Sequence, residues 1–193
     1  LQDSSLPIDV VDSIFGSPMG RPKSAIFRTA DVVGLDTLAL VFGTLLEKAN
    51  NDERQDWFKI PAYLNDLINS GRTGQKAGAG FYKKTKVDGK RVIQSLNLKT
   101  GDYQDPQKMR FPSVGAAKKA STPSKAVKAL VWGDDEASAL AWAVTADTLI
   151  YSANRIPEIC DDVVNLDRAM KWGFAWEMGP FETWDAIGVP ESI

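Results

Sequence analysis

No histidine occurs among the 193 residues, so the commonest general base and the commonest transition-metal ligand are both missing. Cys160 is the single cysteine, which excludes an internal disulfide and, without a histidine, a Cys/His nucleophile pair. Such a lone thiol is expected to be buried and inert. Carboxylate pairs can do acid/base work, and Asp31 and Asp185 hold matched places in two similar segments. Each precedes a chain-reversing glycine by three residues, so local hydrogen bonding in a repeated turn is the expected role. Nothing supports a metal site. Whatever chemistry the chain serves, the expectation is that it does not perform it alone.

The remaining candidates lie in a glycine cluster and a pair of tryptophans. Gly71, Gly74, Gly78 and Gly80 fall within ten residues, with Lys76 among them. Gly78 and Gly80 suit the turn into a strand at Phe81, and they can shape a site without touching a ligand. Gly78-Ala79-Gly80 precedes a strand-like run and opens no helix after a strand, so it is not a dinucleotide-binding fingerprint. Lys76, taken alone, reads as one solvated lysine among many. Trp172 and Trp176 flank Gly173, where large aromatics usually serve core or lobe packing.

The elements that must position these residues read mainly as helices. Val10, Val11, Ile14 and Phe15 give Ile8 to Phe15 an amphipathic helical face, which Gly16, Pro18, Gly20 and Pro22 end. A second helix runs from Lys23 to Val33 and stops at Gly34. Asp36 is expected to cap Thr37 to Lys48, and Pro61 suits the first turn of a helix through Asn69. Phe81 to Tyr103 alternates around turns at Asp88-Gly89 and Thr100-Gly101, the pattern of a small β-hairpin or meander. Asp105 to Ser124, with Pro106, Pro112 and Pro123, reads as a connection. Asp134 or Asp135 caps a long helix to about Asn154, and two short helices follow near 161–172 and 179–187.

Composition narrows the partners. A formal charge of −2, with 23 basic residues scattered among 25 acidic ones, gives no field for nucleic acid. With 44% hydrophobic residues the balance is that of a soluble globular chain. No apolar run approaches the roughly 20 residues of a membrane span, and no signal-peptide series opens the chain, so a cytoplasmic location is expected. The start at Leu1 without methionine and the abrupt end at Ile193 suggest a piece of a longer protein.

A repeat organises the elements. Phe27 to Leu35, FRTADVVGL, matches Phe181 to Val189, FETWDAIGV, in Phe, Asp and Gly at equal spacing. Upstream, Val11-Asp12 matches Leu166-Asp167 with a one-residue gap. Two copies of one helical unit follow, each with an apolar face that needs a partner.

These segments resemble a known family. Gly20 to Leu38, GRPKSAIFRTADVVGLDTL, and Asp167 to Gly188, DRAMKWGFAWEMGPFETWDAIG, look like the C-terminal domain signature of 3-hydroxyacyl-CoA dehydrogenases. Gly71 to Tyr82, GRTGQKAGAGFY, looks like the glycine segment that closes the family's first unit. The resemblance covers nearly the whole chain. It implies a mainly α fold of two repeated helical units of the 6-phosphogluconate-dehydrogenase C-terminal-like type, with a small β-hairpin or meander insertion. The units would span 1–104, lacking the first helix, and 125–193, joined by 105–124.

The resemblance further implies an upstream Rossmann domain that binds NAD and carries a His/Glu catalytic pair, the histidine taking the 3-hydroxyl proton while hydride passes to the nicotinamide. In the family an asparagine on the first helix of the helical domain contacts the reacting group; that helix would precede Leu1, and Asn154-Arg155, in the second unit, does not inherit the role. No residue of this chain is assigned a catalytic part. Lys76, just before the glycine segment, would reach the cofactor; Gly78, Gly80 and Trp172 would border the 3-hydroxyacyl-CoA. A homodimer of the parent is implied as well. Arg21-Pro22-Lys23-Ser24 departs from the family's common form, which Met178-Gly179-Pro180-Phe181 keeps, and resembles bacterial multidomain members that also carry an enoyl-CoA hydratase. Two other classes fit the same observations: a free-standing helical interaction module, and the helical dimerisation domain of another β-hydroxyacid-type dehydrogenase.

Overall fold

The computed structural model describes residues 6–87 and 89–193. Asp88 of the expected Asp88-Gly89 turn, and the first five residues of the polar opening segment, lie outside the described residues. The fold is mainly α, with nine α-helices among the described residues and one antiparallel sheet of order β1-β2-β3. Two compact units share the chain: Leu1–Asp12 with Ile26–Gln107, and Ser13–Ala25 with Lys108–Ile193. Helix α1 (Ile8–Phe15) begins in the first and ends in the second. Its Val10, Val11, Ile14 and Phe15 are all buried, as the spacing requires.

In the first unit α2 (Phe27–Val33) is shorter than the Lys23–Val33 expected, because Ser24 and Ala25 are held in a turn closed by Ala25 N–H donating to Pro22 O at 2.8 Å. Gly34, at φ 103°, ends α2 and also starts α3 (Leu35–Lys48), and the two helices meet at 96°. Asp36 is therefore inside the first turn of α3 and not its cap. Helix α4 (Ala62–Asn69) follows Pro61 and buries Leu64 and Leu67. Strands β1 (Tyr82–Val87), β2 (Lys90–Leu96) and β3 (Tyr103–Gln104) form the expected meander, with Gly101 at φ 75° in the second turn.

The second unit contains a helix where the prolines suggested only a connection. Pro112 starts α5 (Pro112–Lys119) and Pro123 starts α6 (Pro123–Val131), since a helix's first turn does not need the missing N–H. The Thr122 side chain caps α6 through Lys125 N–H, and Asp135 caps α7 (Glu136–Asn154) through Ser138 N–H at 3.0 Å. Helix α8 (Val163–Phe174) is capped by Asp162, and α9 (Pro180–Ile187) opens on Pro180. Helix α6 sits among α5, α7 and α9 with Val127 and Leu130 fully buried. Among the described residues no single helix is long and apolar enough to cross a membrane; α2 and α3 together have the composition but are sharply bent.

Candidate functional site

The repeat rests on two aspartates that cap a neighbouring helix from a distance. Asp12 Oδ1 accepts from Ile26 and Phe27 N–H at 3.0 and 2.9 Å, and Oδ2 accepts from Arg28 N–H at 3.0 Å. In the other unit Asp167 accepts from Phe181 N–H at 2.8 Å and Glu182 N–H at 3.0 Å. Both carboxylates compensate the positive end of a short helix whose N-cap residue, Ile26 or Gly179, supplies no side-chain hydrogen bond. Each helix then ends on an equivalent glycine, Gly34 at φ 103° and Gly188 at φ 98°. Burial is the largest influence on both carboxyls and holds each above its usual value despite these bonds.

The other matched pair is not equivalent in space. Asp31 is buried, and its oxygens accept from Phe81 and Tyr82 N–H, each at 2.8 Å, fifty residues along the chain. Asp185 is exposed on α9. The expectation of a shared local turn is therefore corrected: Asp31 docks the glycine segment onto α2, and the second unit has no such segment to dock.

That docking explains the glycines. A Cβ on Gly80 would fall inside the Asp31 carboxylate, and one on Gly74 would strike the Asp31 backbone. Gly74 N–H donates to Ala79 O at 2.8 Å, closing a tight turn over Gln75–Ala77 with Lys76 exposed at its tip. Gly78, at φ 81°, is exposed. It lines a cleft of about 290 Å³ with Arg28, Asp31, Gln75, Tyr82, Lys84 and Ile93. Lys76 and Gly80 flank this cleft in sequence and do not line it.

The cleft's polar groups are largely committed. Tyr82 O–H donates to Asp12 Oδ2 at 2.7 Å, and the Arg28 guanidinium lies 4.7 Å over the Tyr82 ring. Burial, with Asp12 beside it, pushes the Tyr82 phenol far above its ordinary value, so it does not act as an acid or base near neutrality. Burial likewise raises Asp31. Among the described residues no group of three side chains could hold a metal. The arrangement suits binding and positioning. It does not fit a dinucleotide by itself: the only sheet among the described residues is an antiparallel meander, and the glycines brace Asp31 where a phosphate would need to approach.

In the second unit Trp172 stands 79% exposed on α8, so it is not the core side chain its size suggested. Cys160 is half-buried and not buried as expected, with Sγ 3.4 Å from Asp162 O. A small cavity lined by Met19, Arg21, Thr145, Thr148, Trp176 and Met178 is closed by Arg21, whose guanidinium lies 4.2 Å over the Trp176 ring. Burial lowers the Arg21 pKa to about 10. Among the described residues, Thr145 Oγ in this cavity is buried without a hydrogen-bond partner.

Arg28, Tyr82, Lys84 and Ile93 were not singled out from the sequence. The alternating lysines of Tyr82–Val87 were the available signal, since alternate strand residues share a face.

Taken together, these features define a duplicated helical domain that presents a docked glycine turn beside a cleft. Comparison with known proteins says which one. Residues 1–84 match the family model "3-hydroxyacyl-CoA dehydrogenase, C-terminal domain", and that stretch belongs to the family. A probable 3-hydroxyacyl-CoA dehydrogenase of Bacillus subtilis is 50% identical over 182 residues, 94% of this chain and 22% of that protein. A probable 3-hydroxyacyl-CoA dehydrogenase of Deinococcus radiodurans is 32% identical over 62% of this chain and 35% of its own length. The fatty acid oxidation complex subunit alpha of Vibrio campbellii is 36% identical over 48% of this chain and 12% of its own length. The chain thus spans about a fifth of the Bacillus relative. No solved structure matches it significantly.

Proposed function

We propose that the chain is the C-terminal, substrate-side portion of an NAD-dependent 3-hydroxyacyl-CoA dehydrogenase, which oxidises 3-hydroxyacyl-CoA to 3-oxoacyl-CoA in fatty-acid β-oxidation. The observation that carries this reading is 50% identity to a probable 3-hydroxyacyl-CoA dehydrogenase of Bacillus subtilis over 94% of the chain. NAD, when bound, supplies the hydride acceptor, and a Rossmann domain elsewhere in the same polypeptide holds it together with the catalytic His/Glu pair. This chain contributes no histidine to the chemistry. Its part is to wall the cleft, with Lys76 reaching toward the cofactor from its pinned turn and Gly78 and Gly80 shaping the acyl-CoA side.

Trp172 is proposed as an acyl-CoA contact, and its 79% exposure leaves the ring free for one. The parent is proposed to be a cytoplasmic homodimer. Helix α3 supports a contact surface of that kind: Leu35 is its one buried residue, and Leu40 and Val41 are 72% and 48% exposed. The same face favours the second reading, a stand-alone interaction module.

Acetoacetyl-CoA-dependent NADH oxidation separates the two. The dehydrogenase reading expects no turnover by this chain alone and turnover once the upstream coding region is restored. Turnover by the chain alone would overturn the division of labour, and silence from both preparations would favour the interaction module.

A further inference from the structure

We propose that one face of the β1–β2 hairpin is the docking site for the phosphates of coenzyme A, its diphosphate and 3′-phosphate. The proposal rests on the reading of this chain as the acyl-CoA side of a dehydrogenase. The pairing register sets Lys84 opposite Ile93 and Lys86 opposite Arg91. Paired residues share a face and alternate residues return to it, so Lys84, Lys86 and Arg91 stand together with Tyr82 and Ile93. All three cations are exposed, and among the described residues none of them forms an ion pair.

This arrangement works against the hairpin that carries it. Like charges directly opposite destabilise a ladder, and Lys86 faces Arg91 with Lys84 only one alternate position away. A multiply charged anion lying across the three converts that repulsion into charge-assisted hydrogen bonds. The chain's formal charge of −2 leaves no broad polybasic field, so the patch suits a compact polyanion better than a nucleic-acid backbone or a lipid surface.

The same face runs into the cleft. Tyr82, Lys84 and Ile93 are cleft-lining residues, as is Gly78. From Tyr82 to Lys86 the strand rises about 13 Å, enough for the uncharged pantetheine arm to run inward while the phosphates stay outside. Asp31 lines the cleft, so the phosphates belong beyond Lys84, along Lys86 and Arg91, and not at the Asp31 end.

The test uses the full-length enzyme and two thioesters, acetoacetyl-CoA and acetoacetyl-N-acetylcysteamine, the second of which has no phosphate. In Lys86→Ala/Arg91→Ala the KM for the CoA ester should rise about threefold to thirtyfold at unchanged kcat, two exposed charge contacts having been removed. Kinetics with the phosphate-free ester should stay within twofold. Equal effects on both esters, or on neither, would overturn the proposal while leaving the dehydrogenase reading standing. If the native enzyme turned over neither ester, that reading would fall, and calorimetric titration with CoA and dephospho-CoA would decide the docking site. Weaker CoA binding in the double variant, and weaker binding of dephospho-CoA to the native protein, would support it; absence of CoA binding would sink it. Loss of binding to phosphatidylglycerol vesicles with CoA binding intact would make the face a membrane patch and overturn the proposal.

Discussion

Replacing Asp12 with alanine should cost the first unit more than the matching change, Asp167→Ala, costs the second. Four donors lose an acceptor in Asp12→Ala: the N–H groups of Ile26, Phe27 and Arg28, and the Tyr82 O–H, which keeps only the long 3.5 Å contact to Ile8 O. Phe27 is buried, so its orphaned N–H costs about 1–3 kcal/mol. Ile26 and Tyr82 are half-buried and add about 1 kcal/mol each, while the exposed Arg28 N–H returns to water. The sum is about 3–5 kcal/mol, and relief of the buried carboxylate's desolvation brings it to about 2–4 kcal/mol. Asp167→Ala orphans two N–H groups, on the half-buried Phe181 and Glu182, and should cost about 1–2 kcal/mol.

Urea titration followed by circular dichroism gives both values. Equal losses, or a loss under about 1 kcal/mol for Asp12→Ala, would refute the reasoning, because the tyrosine and the third N–H would then carry no weight. Asp12→Asn adds a pH test of the same site. Burial raises the Asp12 carboxyl, so its contribution to stability is full below the unfolded value of about 3.9 and is lost as pH rises through the folded one. The gap between native protein and Asp12→Asn should be widest in acid and narrow toward neutral pH; a gap that widens with pH would contradict the assigned direction.

Gly80→Ala should lose about 2–4 kcal/mol in the same titration, since its Cβ displaces the Asp31 carboxylate from Phe81 and Tyr82 N–H. A loss below about 0.5 kcal/mol would show that the turn has room to shift. Thr145→Val should be neutral or stabilising by up to about 1 kcal/mol, because it replaces an unpartnered buried hydroxyl with a methyl group of the same shape. Destabilisation by more than about 1 kcal/mol would indicate a partner for that hydroxyl, such as a buried water.

What was legible in the sequence was local or repeated. The spacing of Val10, Val11, Ile14 and Phe15 gave α1, and the alternation from Phe81 gave the meander. The pairing of Asp12 with Asp167 was visible as a repeat, and the structure supplies its reason in two capped helices. What was not legible depends on which segment lies opposite. Asp31 and Asp185 hold the same place in their repeats, yet only Asp31 finds two N–H donors, because they come from a glycine segment fifty residues away. Pro112 read as a breaker because a proline that starts a helix and one that ends it look alike until the following residues are seen to pack. Cys160 was misjudged for a related reason: residue type sets an average burial, and the tertiary neighbours set the actual one.

The docked glycine turn bears on the proposed role of Lys76. A flexible lysine loses rotamer freedom when it binds, and a lysine on a loose loop loses backbone freedom as well. Here the backbone part is already fixed by folding. Gly74 and Gly80 are pressed against Asp31, and the Gly74 to Ala79 hydrogen bond closes the turn. Only the lysine side chain remains to be ordered. An exposed lysine at the tip of a turn braced by a buried carboxylate is therefore better prepared to contact a ligand than the lysines on the chain's freer segments. The buried Asp31 acts at one remove: by consuming its charge on Phe81 and Tyr82 it sets the height at which Lys76 stands, which is why the carboxylate belongs to the positioning of the site and not to its chemistry.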